Sequence, residues 1–189
     1  MISGALRSIL LLVPLAAAAQ GWDLQALMAA MAEVPASNTR FVETRHLAML
    51  TNPIELRGSL RYERPGRLAK HVQSPFEELL SIDGETVTLV NRKGDKRVIA
   101  LREQPALTAL VESVRATLAG ERALLERHYK LSFSGPREDW TLRLVPREAK
   151  VRAYVESIVL AGAGARIERI EVIEAGGDRS VTRILHDGK

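Results

Sequence analysis

The chain has 189 residues, a formal net charge of +4 and no cysteine. Without cysteine it forms no disulfide, has no thiolate chemistry and carries no lipid anchor on an acylated cysteine. Basic and acidic side chains alternate, as in the run RIERIEVIE, and only 4% of the residues are aromatic. Nucleic-acid binding requires a basic stripe and is helped by stacking aromatics, so this composition argues against a nucleic-acid partner.

Residues 1–19 have the layout of a cleaved signal peptide. A single charge at Arg7 precedes an apolar run from Ile9 to Ala19, and small residues lead up to Gln20. A membrane anchor is the alternative, but the run has about 11 residues whereas a spanning helix needs about 20. The sequence therefore predicts export, and an exported chain without cysteine fits the bacterial periplasm. Residues 20–189 are expected to form a single domain.

The exported part is predicted to begin with a helix from Asp23 to Val34. Asp23 is the expected N-cap, Pro35 ends the pattern, and helical spacing links four apolar residues: Leu24, Leu27, Met28 and Met31.

Most of the remaining chain predicts strands that are apolar on one face. These runs lie at 37–50, 58–63, 67–74, 77–82, 85–92, 96–101, 129–135, 140–146, 153–162, 165–175 and 178–185. One-sided strands indicate an antiparallel sheet with one solvated face, and a sheet of about ten strands tends to curl.

One segment breaks the strand pattern. Pro105 to Leu118 has a narrow helical stripe, Gly120 is the expected stop, and a second short helical piece, ERALLERH, follows. The predicted fold class is mainly β with α: a curled antiparallel half-barrel covered by an N-terminal helix and a helical lid insertion. Periodicity alone leaves open whether the concave face is packed solid or encloses a hollow.

The sequence contains no recognisable catalytic motif. His46, His71, His128 and His186 lack the spacing of a metal site, and neither a nucleophile elbow nor a phosphate-binding loop occurs. No catalytic residue, metal or cofactor is predicted. An enzyme remains an alternative only because catalytic groups assemble in space.

The run G-x-L-x-Y-x-R-P-x-x-L, from Gly58 to Leu68, carries a resemblance. It is similar to the signature of the LolA family of periplasmic lipoprotein carriers, in which a strand ends in Arg-Pro. The later Pro75, the Asp83-Gly84 turn and the order of elements from about residue 21 to 184 also resemble that family.

The resemblance implies a monomeric carrier whose apolar hollow shields acyl chains in water. Each exposed methylene costs about 0.8 kcal/mol, so a long acyl chain needs such a shelter. The implied cargo is a lipoprotein or lipid that passes from an inner-membrane transporter to an outer-membrane acceptor. Two alternatives stay open: a lipid- or lipoprotein-binding regulator, and a carrier of another acyl product that works with an MMPL-type exporter.

Strand parity, together with the resemblance, selects the candidate site. Arg64 shares a face with Leu60 and Tyr62, and the family implies that it points into the hollow and locks the lid. A candidate headgroup ligand is Lys70, expected to reach the rim and pair with an acidic headgroup or with a lid carboxylate such as Glu112, with plain solvent exposure as the alternative. The predicted lipid-binding residues are Phe41, Leu60, Tyr62, Leu68, Val72, Leu80, Ile82, Val87, Leu89, Phe133, Trp140, Leu142, Leu144, Ile170 and Val172.

Three features depart from the family pattern: the concave face is poor in aromatic residues, Lys70 lies where an apolar residue would be expected, and the sequence ends at Lys189 without the C-terminal extension of longer carriers.

Overall fold

The structure, a computed structural model, describes residues 21–186, so the predicted signal peptide lies outside the described residues. Eleven strands form one sheet. They are β1 Ala36–His46, β2 Ile54–Glu63, β3 Arg67–Ser74, β4 Glu78–Asp83, β5 Thr86–Asn91, β6 Lys96–Ala100, β7 Tyr129–Ser134, β8 Trp140–Pro146, β9 Val155–Ala163, β10 Arg166–Glu174 and β11 Arg179–Leu185.

The sheet is antiparallel throughout, in the order β6-β5-β4-β3-β2-β1-β11-β10-β9-β8-β7. Two meanders, one from each half of the chain, join where β1 pairs with β11. The edges are β6 and β7, so the sheet is open. The predicted fold class, an antiparallel half-barrel covered by helices, is confirmed.

Within the described residues, four α-helices accompany the sheet: α1 Leu24–Ala32, α2 Pro105–Ala119, α3 Arg122–His128 and α4 Ala149–Arg152. A single 3-10 turn, Leu101–Glu103, comes just before α2. The side chain of Asp23 caps α1 by accepting a hydrogen bond from the Ala26 amide at 2.8 Å, as expected. Gly120 ends α2 with φ of 73°, and a Cβ there would lie 2.5 Å from the Met28 carbonyl oxygen. Glycine therefore both permits the left-handed cap and lets α2 end against α1.

The two halves of the concave face are covered differently. Leu27 and Met31 of α1 pack in one buried cluster with the apolar face of β8 and β9. On the other half, Val111 of α2 forms a smaller cluster with Ile82 and Val87. Helix α2 also contributes to the first cluster, so it bridges the two halves.

Several boundaries differ from those predicted. Strand β1 ends at His46 and not at Leu50, because the chain turns there and the Leu50 amide donates to the Leu47 carbonyl. Strand β2 begins at Ile54, four residues before Gly58. Leu56 is buried and continues the alternation, but Gly58 has no side chain to show it. Helix α4 was not predicted, since four residues are too few to show a helical period.

Within residues 21–186, none of the helices combines the length and the apolar character that crossing a bilayer requires.

Candidate functional site

A cavity of about 750 Å³ lies between the concave face of the sheet and α2. Its size falls in the range of small-molecule sites. Its apolar lining comes from β2–β4, β10, β11 and α2, and includes Leu60, Tyr62, Leu68, Val72, Leu80, Ile82, Ile170, Val172 and Ile184 of the sheet and Leu107, Leu110, Val111, Val114 and Leu118 of α2.

The structure brings together about half of the predicted lining residues. Those on β2, β3, β4 and β10 line the cavity: Leu60, Tyr62, Leu68, Val72, Leu80, Ile82, Ile170 and Val172. The others do not line it: Phe41, Val87, Leu89, Phe133, Trp140, Leu142 and Leu144. Parity places these side chains on the concave face, but it does not reveal what covers them. Helix α1 belongs to the cluster that contains Trp140, Leu142 and Leu144, so that half of the face is packed solid.

The floor of the cavity also contains charge. The ammonium nitrogen of Lys70 lies 2.5 Å from Oε2 of Glu43, and Thr182 donates a hydrogen bond of 2.7 Å to the same oxygen. Arg45 donates from Nε to Oε1 of Glu43 at 2.5 Å. Glu43 is buried, with only 4% of its surface exposed.

The two charged groups respond oppositely to this environment. Burial raises the pKa of Glu43, but Lys70, Arg45 and the Thr182 hydroxyl outweigh it and hold that pKa at about 2, below the ordinary 4.5. Burial lowers the pKa of Lys70 below its ordinary value, although the Glu43 carboxylate opposes that shift. The Glu43 carboxylate is therefore ionised at neutral pH.

The expected partner of Lys70 is corrected. Glu112 lines a separate small cleft with His128 and Tyr129 on the side of α2 that faces α3, and burial raises its pKa. Lys70 instead reaches across β2, where Gly58 has no side chain, and its nitrogen lies 5.0 Å from the centre of the Phe41 ring. The role of Lys70 towards a ligand stays a prediction.

Arg64 does not line the cavity and does not bind the α2 segment. Its Nε donates to the Val34 carbonyl at 2.9 Å, and its Nη2 donates to the carbonyl of Ala32. These carbonyls lie at the C-terminal end of α1, where a cation is favoured by the helix dipole. Arg64, at the end of β2 and before a cis proline, therefore fastens α1 to the sheet, which corrects the expected contact with the lid insertion.

The arginine that fastens α2 is Arg115, which sequence reasoning missed. Its Nε donates to the Gly66 carbonyl at 2.6 Å, and its Nη1 donates to the Gly84 carbonyl at 2.9 Å. These carbonyls belong to the turns after β2 and β4, so a single side chain ties α2 to two hairpin turns. The available signal was its place in SVRATL, where it is the one charged residue among buried neighbours.

One end of the cavity adjoins exposed apolar side chains. Leu47 and Phe76 line the cavity at the end where β1 leads into β2 and β3 leads into β4. Phe76 is 49% exposed, and in the β1–β2 loop Met49 is 96% and Leu50 is 48% exposed. The apolar surface inside the cavity is thus continued on the outside at this end.

Comparison with known proteins gives the following matches. A family model described as outer membrane lipoprotein carrier protein LolA-like matches residues 16–188. An outer-membrane lipoprotein carrier protein of Cupriavidus pinatubonensis is 29% identical over 127 residues, which are 66% of this chain and 56% of that relative. The chain thus spans little more than half the length of that relative.

Two solved structures are similar over most of their length. A LolA superfamily protein from Nitrosomonas europaea has a TM-score of 0.45 and 12% identity, covering 88% of this chain and 94% of that one. A putative outer membrane lipoprotein-sorting protein domain from Vibrio parahaemolyticus has a TM-score of 0.48 and 11% identity, covering 87% and 90%.

The ionised Glu43 predicts a pH dependence of stability. Because its folded pKa of about 2 lies below the ordinary 4.5, it stabilises the fold above pH 4.5, and this stabilisation is lost as the pH falls towards 2. Between pH 6 and pH 3 the loss should be about 2 kcal/mol in the free energy of unfolding, measured by urea titration. A double variant with Glu43→Leu and Lys70→Met should lack this part of the decline. Parallel curves for the two proteins would contradict the assignment.

The two hydrogen bonds of Arg115 should contribute to the free energy needed to open α2. In Arg115→Met the apolar stem remains but both hydrogen bonds to turn carbonyls are lost, so the opening free energy of α2 should fall by about 1–3 kcal/mol. Hydrogen exchange of α2 amides should speed up accordingly, while amides between β1 and β2 should keep their protection. Arg102→Met, an exposed arginine just before α2, is the control. Unchanged exchange in α2 would show that Arg115 does not hold it.

Proposed function

The chain belongs to the family of LolA-like outer-membrane lipoprotein carrier proteins, and from this premise we propose that it is a periplasmic carrier of acylated cargo. It shields the acyl chains of a lipoprotein or lipid while the cargo crosses the aqueous periplasm between the two membranes. The inner-membrane transporter and the outer-membrane acceptor belong to the same proposal. No catalytic role is assigned to it, since carrying requires only a shelter that opens and closes.

The apolar cavity under α2 is the observation that carries this proposal. Its floor and roof are mostly aliphatic. This suits an acyl chain, because a hydrocarbon has no hydrogen-bond donor or acceptor and has a large apolar area to bury. A protein whose core needed only stability would close such a space, because each empty volume forfeits packing contacts.

Two further features support a cycle of loading and release. Arg115 fastens the roof to two turns by two hydrogen bonds, which an opening movement of α2 would break and closure would form again. The exposed Met49, Leu50 and Phe76 provide an apolar surface next to the cavity end. A bilayer that contacts this surface would let an acyl chain leave without crossing open water.

Neighbouring residues on β4 provide a matched test. Leu80 lines the cavity, whereas Leu79 is exposed on the opposite face of the same strand. Leu80→Arg places a long cation in the cavity, beside the ammonium of Lys70 on the adjoining strand. We expect it to reduce, by roughly tenfold or more, the amount of a fluorescent lipopeptide that the protein withdraws from vesicles into solution.

The control is Leu79→Arg, which should withdraw the lipopeptide as the wild-type protein does. Both variants must first show the wild-type circular dichroism spectrum. If the wild-type protein leaves the lipopeptide in the vesicles, the carrier proposal is wrong; if both variants transfer it equally well, the cavity is not where the cargo is held.

A further inference from the structure

The cavity floor contains an ion pair that a purely apolar shelter does not require. Lys70 and Glu43 lie on different strands, with β2 between them, and only about a fifth of the Lys70 side chain is exposed. A buried ion pair adds little net stability, because desolvation of both charges offsets their attraction, and apolar replacements are often tolerated. Stability alone therefore gives no reason for placing this pair in an acyl-binding cavity.

Glu43 has little acceptor capacity left for a ligand, because three donors occupy three of its four lone-pair sites. One oxygen accepts from Arg45, and the other accepts from both Lys70 and Thr182. The carboxylate is thus held by three donors from three strands, and it fixes the position of the Lys70 ammonium.

Lys70, in contrast, retains donor capacity that faces the cavity. An ammonium has three N–H donors, of which Glu43 accepts one, and the Phe41 ring meets the cation with its face. Among residues 21–186, no other acceptor of a hydrogen bond from this nitrogen is found. Lys70 lines the cavity between Leu60 and Leu80, its register partners on the two adjoining strands. A ligand in the cavity would therefore contact apolar side chains on both sides of one hydrogen-bond donor.

The charges around Lys70 decide which acceptor fits. Glu43 already balances the ammonium, and Glu78 adds a second carboxylate that acts on it, against one further cation, Arg45. Together these four groups carry no net charge, so an added anion gains no net attraction to offset the loss of its hydration. A neutral oxygen acceptor gains the hydrogen bond without that cost.

We propose that Lys70, held by Glu43, donates a hydrogen bond to a carbonyl oxygen of the ester or amide linkage that joins an acyl chain to its cargo. This deepens the proposed function and rests on it, and it replaces the acidic headgroup expected from the sequence. This hydrogen bond would fix how deep the linkage lies in the cavity. The hydrocarbon would then contact the apolar side chains on either side of Lys70. The cavity would then select acyl cargo over plain hydrocarbon.

The test compares two lipids that differ only at the linkage. Binding constants of the purified protein are measured for a diacylglycerol with ester linkages and for the dialkylglycerol ether of equal chain length, which has no carbonyl. The wild-type protein should bind the ester roughly tenfold more tightly, the gain expected from one hydrogen bond to a charged donor. The double variant with Lys70→Met and Glu43→Leu removes both charges of the pair, so that neither is left buried without its partner. It should bind both lipids equally.

A control variant, a control lipid and a direct spectroscopic measurement accompany this test. Lys130→Met, an exposed lysine on β7, should keep the ester preference. Phosphatidylglycerol of the same chain length tests the headgroup: a preference for it over diacylglycerol that disappears in the double variant would overturn the carbonyl assignment. The infrared stretch of a ¹³C-labelled ester carbonyl should move to lower frequency on binding to the wild-type protein, which tests the contact without any variant.

The failures of the two proposals can be told apart. Equal binding of ester and ether by the wild-type protein, or an ester preference that persists in the double variant, overturns the role of Lys70 while the carrier proposal stands. If the wild-type protein binds neither lipid, the carrier proposal falls as well.

Discussion

The mismatch between a wide concave sheet and the few helices that cover it governs the rest of this structure. Eleven antiparallel strands expose one continuous apolar face, and within residues 21–186 two helices of more than two turns cover it. Helix α1 and part of α2 fill the half formed by β8 and β9. Over β2–β4 the cover is α2 with Leu101 just before it, and a cavity of about 750 Å³ is left beneath α2.

This arrangement divides one sheet into a rigid part and a part suited to binding. Trp140, Leu142 and Leu144 are completely buried and pack in the α1 cluster, where a substitution would cost packing energy. Side chains such as Leu60 and Leu80, by contrast, are only half-buried and line the cavity. The two arginines follow the same division: Arg64 fastens α1 to the sheet, and Arg115 fastens α2 to two turns.

The Lys70–Glu43 pair shows how polar chemistry is kept inside an apolar site. It is tolerated because three donors satisfy the carboxylate, and because the Phe41 ring faces the lysine ammonium. The Lys70 ammonium is neutralised by Glu43 but not fully hydrogen-bonded. It therefore offers a hydrogen-bond donor without a strong net electrostatic attraction for anions. Such a donor favours neutral, polar linkages, and the surrounding leucines favour hydrocarbon.

Alternation of side chains was enough to predict the strands and their faces, and a helical spacing of apolar residues was enough to predict the insertion. Strand β3 has the bounds that its alternation predicts, and the Arg-Pro motif at the end of β2 is enough to indicate the family. What alternation could not give was contact between elements that are distant in sequence. Glu43 shares the parity of Phe41, but its meeting with Lys70 depends on the register of β1, β2 and β3 together. Likewise, the partners of Arg115 are backbone carbonyls. Every residue has a backbone carbonyl, so the sequence does not indicate which ones the side chain binds.

The central claim is that hydrocarbon enters the space beneath α2, and a chain-length series tests it most directly. Isothermal titration would measure binding of a homologous series of acyl glycerol esters that differ by single methylenes, at concentrations below micelle formation. Each methylene should tighten binding roughly three- to fourfold, corresponding to about 0.8 kcal/mol, until the cavity is full. In Leu80→Arg this dependence should flatten. Affinity that does not change with chain length in the wild-type protein would contradict the account.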